Sequence, residues 1–184
     1  MAGNAEDGGG QRGSPWRLAV WGSAALMLLL PLFAMQVTDE MNWGVADFAL
    51  LGAMLAGAGA TFELAVRVTG NPAYRAAVVV ALAAAFILVW MNLAVGVIGG
   101  EDNPANLLYG GVLAVGLIGA LIARFQPHGM ARALVATALA QALVAVIAGV
   151  GHTFILTGFF VALWLISAWL FRSAHVASPR RPTG

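Results

Sequence analysis

The sequence predicts an all-α membrane protein, a bundle of six transmembrane helices with both termini in the cytoplasm. Hydrophobic residues make up 61% and charged residues 9% of the 184 residues, and mean hydropathy is +0.88. A soluble protein carries roughly 25% charged residues, so water would not solvate such a surface. Several uncharged stretches reach the roughly 20 residues that a helix needs to cross the hydrocarbon core. The nine basic residues, all arginine, fall in four groups between or beside these stretches.

The predicted organisation is a single transmembrane domain, residues 16–172, between two disordered cytoplasmic tails, residues 1–15 and 173–184. The first tail is polar and rich in glycine, so it has too little apolar surface to offset the entropy of ordering it. The six spans are predicted at residues 18–37, 45–66, 76–98, 105–123, 133–150 and 153–171.

The first span is an uncharged stretch at residues 18–37 that contains Pro31. Proline is tolerated inside a membrane helix when neighbouring groups satisfy the freed carbonyl, although it favours a kink. A cleaved signal peptide is the alternative, because Arg12 and Arg17 precede the apolar stretch. The apolar core of a signal peptide has about 7–15 residues and is shorter than this stretch, which favours a span.

The second span is the least regular of the six. Asp47 and Glu63 leave only residues 48–62 uncharged, so at least one of the two carboxylates should approach the membrane interface. Helix 4 has a clear start, because Asn103 is suited to cap it and Pro104 to the first helical position.

The interval between Arg132 and Arg172 carries no formal charge and is about twice as long as one span requires. It therefore predicts two helices joined by a tight turn. Gly149, Gly151 and His152 form the breaker-like group near its middle and mark the turn.

The arginines set the predicted orientation. With six spans, all four groups of arginine lie on one side of the membrane, which the positive-inside rule assigns to the cytoplasm. The connections on the other side hold Asp39, Glu40, Glu101 and Asp102, with Asp47 at the edge. One span more or fewer would scatter the arginines over both faces, so this pattern supports the count of six.

The carboxylates and amides on the outer side form a candidate site, here the outer-face polar cluster. It consists of Asp39, Glu40, Asp47, Asn92, Glu101, Asp102, Asn103, Asn106 and His152. Such oxygens suit calcium, magnesium or manganese, or attract cations to a pore. A plainer explanation is that acidic residues at the starts of helices 2 and 4 stabilise the helix dipole.

Other polar residues lie within the spans. Glu63 precedes Arg67 by four residues, the favourable order for a structural ion pair on one helix. Asn92 and Gln141 are amides at membrane depth, which most often form hydrogen bonds between helices, although a role in conduction or substrate binding stays open.

Small and aromatic residues have structural interpretations. Gly116 and Ala120 on helix 4 are typical of close helix packing, within the chain or between two copies of it. The tryptophans and Tyr109 fall mostly toward span ends, so Trp164 and Trp169 are interpreted with them as interface anchors.

Several functions are disfavoured. The chain has no cysteine, which removes disulfides, thiolate metal sites and cysteine nucleophiles. His128 and His152 lie at opposite ends of helix 5 and cannot both ligate one haem. His128 and His175 lie on the same, cytoplasmic side, the first in a short loop and the second in the C-terminal tail. Hydrolase and zinc-protease motifs are missing from the sequence, so we expect no enzyme and no cofactor. A net charge of +1 gives no reason to expect nucleic acid binding.

One segment carries a family resemblance. The sequence NLAVGVIGGEDNPANLLY, residues 92–109, together with flanking stretches between residues 41 and 172, resembles a family of small, uncharacterised multi-pass proteins of the bacterial inner membrane. The resemblance implies a fold and a location but no activity. Residues 1–40 form an extension that shorter members of that family lack.

We therefore expect a non-enzymatic accessory or structural component of the bacterial inner membrane, with the lipid bilayer as its surroundings. A membrane-protein partner or a homo-oligomer stays open. The alternative function is a small transporter or channel for a cation or small polar solute. It would use Asp47, Asn92, Glu101 and Asp102 on the outer side and Gln141 deeper in the membrane.

Overall fold

The computed structural model of the protein describes residues 15–38, 43–94, 96–98, 103–149 and 151–176. These residues form six α-helices and one short 3-10 helix, without any strand. All six α-helices are long and apolar enough to cross a membrane. The predicted all-α fold with six membrane-compatible helices is therefore confirmed.

The helices lie close to the predicted spans. They are α1, Pro15–Val37; α2, Val45–Val68; α3, Pro72–Ala94; the 3-10 helix Pro104–Asn106; α4, Leu107–Ile122; α5, Pro127–Ala148; and α6, Gly151–Val176.

Four helices begin before their predicted spans, α1 and α6 by two or three residues and α3 and α5 by four and six. Helix α3 begins at Pro72, four residues before the predicted span, because the Asn71 side chain accepts a 2.9 Å hydrogen bond from the amide of Ala73 and so caps the helix. Helix α5 begins at Pro127, where proline fits the first helical position and Gln126 is extended. Hydropathy detects the apolar part of each helix and misses these polar starts.

Two helix ends also differ from the prediction. Helix α3 ends at Ala94 instead of residue 98, and Gly96 follows it with a φ of 70° in the left-handed region. Helix α6 continues to Val176, so residues 173–176 of the predicted C-terminal tail are helical. Ala174 is buried there, and its carbonyl accepts a 3.2 Å hydrogen bond from the Asn71 side chain.

The predicted turn between the last two helices is confirmed. Helix α5 ends at Ala148 and α6 begins at Gly151. Gly149 has a φ of 63°, which glycine adopts without strain, and its amide donates a 3.0 Å hydrogen bond to the Ala145 carbonyl.

The chain divides into two compact units, residues 1–63 and residues 64–184. In the first unit, α1 and the larger part of α2 are antiparallel. The Trp16 and Phe62 rings meet edge to face at 6.0 Å, and the Trp21 ring lies against Gly59. Trp16 and Trp21 of α1 thus pack against Phe62 and Gly59 of α2, respectively.

The second unit contains the four helices α3 to α6. Helices that follow one another along the chain are not always the ones that pack together most extensively. Helix α5 packs against α6 and α4, whereas α3 packs mainly against α6 and touches α4 little. The Ser167 hydroxyl joins α6 to α3 by donating a 2.7 Å hydrogen bond to the Ala77 carbonyl.

Glycine permits a close approach of α4 to α5. A Cβ atom at Gly119 would lie 2.7 Å from the Ala133 Cβ, and one at Gly116 would lie 3.1 Å from the Thr137 hydroxyl oxygen. The prediction that Gly116 supports close packing is confirmed for contacts within the chain.

The second unit has two ends that we name by their residues. The arginine end carries Arg75, Arg124, Arg132 and Arg172, where α3 and α5 begin and α4 and α6 end. The Gly149 end carries the α5–α6 turn and the connection between α3 and α4.

Candidate functional site

Much of the outer-face polar cluster lies outside the described residues. This applies to Asp39, Glu40, Glu101 and Asp102. His152 lies in the first turn of α6, but its side chain is outside the description as well. The proposed cation-binding arrangement therefore stays a prediction.

Asp47 lies in the first turn of α2 and is exposed. One of its carboxylate oxygens accepts a 2.8 Å hydrogen bond from the amide of Gly44. A carboxylate in the first turn interacts favourably with the helix dipole. This arrangement favours the structural explanation of Asp47 over a role as a metal ligand.

The three asparagines of the outer-face polar cluster organise the connection between α3 and α4. The Asn92 side chain donates a 2.9 Å hydrogen bond to the Asn106 carbonyl, and the Asn106 side chain accepts one of 2.8 Å from the amide of Ile98. Asn103 caps the 3-10 helix by accepting a 3.0 Å hydrogen bond from the amide of Ala105. These contacts satisfy backbone groups of Ile98, Ala105 and Asn106. Asn103 caps the 3-10 helix that leads into α4, whereas the sequence predicted that it caps α4 itself.

Glu63 has an ionic partner that spacing along one helix could not reveal. Its carboxylate pairs with the guanidinium of Arg17, which comes from α1 in the same unit. The pair joins two helices, and its Glu63 side chain is only 12% exposed while the Arg17 side chain is 47% exposed. The pairing of Glu63 with Arg67 stays a prediction.

Gln141 is the most deeply buried of the predicted polar residues. It is 0% exposed, and neither its side-chain oxygen nor its nitrogen has a hydrogen-bond partner among the described residues. Leu134 and Thr137 precede it by two turns and one turn on α5 and are buried too. Gln141 therefore lies on the buried face of α5, which packs against α4 and α6.

Within the described part of the second unit, four more buried residues, besides the half-buried Asn92 with its Oδ1, carry a side-chain polar atom without a hydrogen-bond partner. They are Tyr109 on α4 and Thr153, Thr157 and Trp164 on α6. Their exposures are 1%, 0%, 6% and 3%, respectively. We call these four residues and Gln141 the axial polar cluster.

The helix registers place this cluster in one region. Gln141 lies seven residues before the end of α5 and Thr157 six residues after the start of α6, so each is about 10 Å from the Gly149 end. The Tyr109 hydroxyl lies beside the Thr157 hydroxyl, without the geometry of a hydrogen bond. On α6, the spacing of Thr153, Thr157 and Trp164 puts all three on one face.

The energetic cost of this arrangement is substantial. A buried polar group without a partner costs about 1–3 kcal/mol, and most such groups in proteins are paired. The cluster contains an amide, three hydroxyls and an indole N–H, which together offer donors and acceptors but no formal charge. It is therefore suited to a neutral polar molecule.

The arginine half of the unit is closed by packing. The Tyr74 and Phe171 rings meet edge to face at 4.9 Å, and Phe171 is fully buried. Ser167, also fully buried, already uses its hydroxyl on the Ala77 carbonyl. The axial polar cluster is thus separated from the arginine end by side chains that are apolar or already paired.

Two histidines meet at the arginine end. The ring centroids of His128 and His175 are 5.4 Å apart, and both residues are exposed. Both belong to helices, not to a loop and a tail as predicted. In the part of the chain that the structure describes, no group of three or more histidine or acidic side chains could hold a metal ion.

Of the axial polar cluster, the sequence indicated only Gln141 as a candidate polar site residue. The anchor interpretation of Tyr109 and Trp164 is wrong, since both are buried, whereas Trp169 is 65% exposed as an anchor should be. Helical spacing offered a signal, because Thr153, Thr157 and Trp164 recur at intervals of four and seven residues. Hydroxyls in an apolar helix gave no reason by themselves to single them out.

Comparisons with family models, curated proteins and solved structures find no match to this chain.

Proposed function

We propose that this protein is a multi-pass component of the bacterial inner membrane that acts without catalysing a reaction, with both termini in the cytoplasm. The supporting observation is that the chain has six membrane-compatible helices and that its arginines lie only near alternate helix ends, in the connection between α4 and α5, and in the flanking segments. Such a distribution is typical of a polytopic protein held in one orientation.

The surface of the second unit supports a lipid environment. Its exposed face is built from large apolar side chains, which would be unfavourable in water but are suited to acyl chains. Examples with more than half of their area exposed are Leu117, Ile122, Leu139, Val146, Ile155 and Trp169. The bilayer is therefore the proposed surroundings of this unit.

The interior supports a non-enzymatic role. Among the side chains that the structure describes, the buried polar residues of the second unit are Asn106, Thr137, Gln141, Thr153, Thr157 and Ser167. These six are uncharged, and none of them supplies a carboxylate, imidazole or thiolate for acid–base or nucleophilic chemistry. A structural or accessory component fits such an interior, and its partner would be another membrane protein or a second copy of this chain.

A second candidate function is a small transporter or channel. The axial polar cluster favours a neutral polar solute over a cation, because an ion in a membrane interior requires charged or strongly coordinating groups. The cation version of this function depends on Asp102 and its acidic neighbours.

Cation flux into proteoliposomes tests the proposal. We expect the purified full-length protein to give the same sodium and potassium flux as protein-free liposomes. The double variant Asp47→Asn, Asp102→Asn should leave that flux unchanged. Cation flux well above the protein-free level that the double variant lowers would contradict the proposal and establish the second candidate.

A further inference from the structure

The axial polar cluster differs from Asn106 and Ser167, whose side chains bond to backbone groups. Asn92 is intermediate, because its amide nitrogen donates to the Asn106 carbonyl while its Oδ1 has no partner among the described residues. In Gln141 and Thr157, no side-chain polar atom has a hydrogen-bond partner among the described residues. These unpartnered groups are buried together, so they require explanation as a set.

The cluster draws on three helices whose registers are independently fixed. Contacts of glycine with Thr137 and Ala133 align α4 with α5, and the short turn at Gly149 aligns α5 with α6. Gln141 and Thr157 therefore face the same level of the interior. The proximity of Tyr109 to Thr157 brings α4 to that level as well.

The chemistry of the cluster selects a neutral ligand. A glutamine amide donates and accepts, as do tyrosine and threonine hydroxyls, and the Trp164 indole adds a donor. A molecule with one donor and one acceptor could satisfy several of these groups at once. A bound ion would lack a charged partner among these five side chains, which disfavours it at membrane depth.

The cluster lies in the half of the second unit nearer the Gly149 end. Thr153 lies one turn from Thr157 toward that end, and the arginine half is closed by packing around Phe171.

We propose that the axial polar cluster is a hydrated binding site for a small neutral molecule with both donor and acceptor groups. Water and small organic solutes such as amides or polyols share this chemistry. The site rests on the packing of the second unit and does not depend on which end faces the cytoplasm or on the proposed accessory role.

Cysteine reactivity tests whether the site is hydrated, because the chain has no cysteine of its own. A thiol reacts with methyl methanethiosulfonate as the thiolate, which forms in water and not in a dry apolar core. The test variant is Thr157→Cys, close in size to the original residue. The matched control is Ala168→Cys, three turns further along the same buried face of α6.

We expect Thr157→Cys in the full-length protein in liposomes to react at least tenfold faster than Ala168→Cys. Equal, slow rates would mean a dry interior and would overturn the proposal. Thermal transitions of both variants within a few degrees of the wild type show that reactivity is compared between folded proteins. Thr153→Cys provides a second reporter in case Thr157→Cys does not fold, and the same tenfold difference is expected.

Protection by solutes then distinguishes water from an organic ligand. We expect 100 mM acetamide or glycerol to slow the reaction of Thr157→Cys at least threefold. The exposed control Gly151→Cys should be unaffected, and Gln141→Leu introduced with Thr157→Cys should remove the protection. Fast labelling without protection by either solute would mean that water alone occupies the cluster, which overturns the solute-binding part of the proposal.

Discussion

The Tyr74 hydroxyl donates a 2.9 Å hydrogen bond to the carbonyl of Phe125, which ties α3 to the turn between α4 and α5. Arg124 and Phe125 in this turn have φ values of 48° and 57°, in the left-handed region that residues other than glycine rarely adopt. The backbone of the turn is thus strained, and a side chain from a helix outside the α4–α5 hairpin helps to hold it.

Replacing Tyr74 with phenylalanine should destabilise the protein by about 1–2 kcal/mol, because the buried ring stays while the Phe125 carbonyl loses its donor. The measurement is the midpoint of thermal unfolding in detergent. Tyr109→Phe is the matched control, since the Tyr109 hydroxyl has no hydrogen-bond partner within the described ranges, and its effect should be clearly smaller. Equal effects of the two substitutions would contradict this role of Tyr74.

Gly119→Ala should destabilise the second unit by about 1–3 kcal/mol, because the new methyl group would overlap the Ala133 Cβ and force α4 away from α5. Gly110→Ala on the same helix has open space around it and should be neutral or gain up to about 1 kcal/mol in helix propensity. Thermal unfolding of both variants checks this. A stability loss for Gly110→Ala as large as that for Gly119→Ala would argue against the close contact.

Ser167→Ala should cost about 1 kcal/mol, since it removes the buried hydrogen bond from the Ser167 hydroxyl on α6 to the Ala77 carbonyl on α3. Ser173→Ala tests the same chemical change where the hydroxyl bonds within its own helix, to the Trp169 carbonyl, and should have little effect. The comparison uses unfolding midpoints in the same detergent. A larger loss of stability in Ser173→Ala than in Ser167→Ala would contradict the stabilising contribution of the α3–α6 hydrogen bond.

Asn106→Ala should loosen the connection between α3 and α4, because the amide of Ile98 would lose its buried acceptor. Hydrogen–deuterium exchange at Ile98 should accelerate at least tenfold, while exchange in the middle of α5 should stay at the wild-type rate. Unchanged exchange at Ile98 would show that this hydrogen bond does not hold the connection.

The positions of the six helices could be predicted because each contains an apolar stretch near the length of a membrane span. The turn at Gly149 could be predicted because glycine interrupts a long uncharged interval. The helix ends were less predictable. Asn71 and Pro72 begin α3 outside its apolar stretch, and Ala174 extends α6 because Asn71, distant in sequence, bonds to its carbonyl.

The candidate site was predictable only where one residue was unusual by itself. Gln141 is conspicuous in an apolar helix, whereas Thr157 and Tyr109 become notable only once three helices are assembled around them. The pairing of Glu63 with Arg17 likewise depends on the approach of α1 to α2, which spacing along one helix cannot indicate.

The sidedness of two introduced cysteines tests the membrane topology most directly. Glu40→Cys and His128→Cys lie on opposite sides in the proposed six-span orientation, and each would be the only thiol in its chain. In spheroplasts, a membrane-impermeant maleimide should label position 40 without permeabilisation and position 128 only after it. Labelling of position 128 in intact spheroplasts would contradict the cytoplasmic assignment of the arginine end.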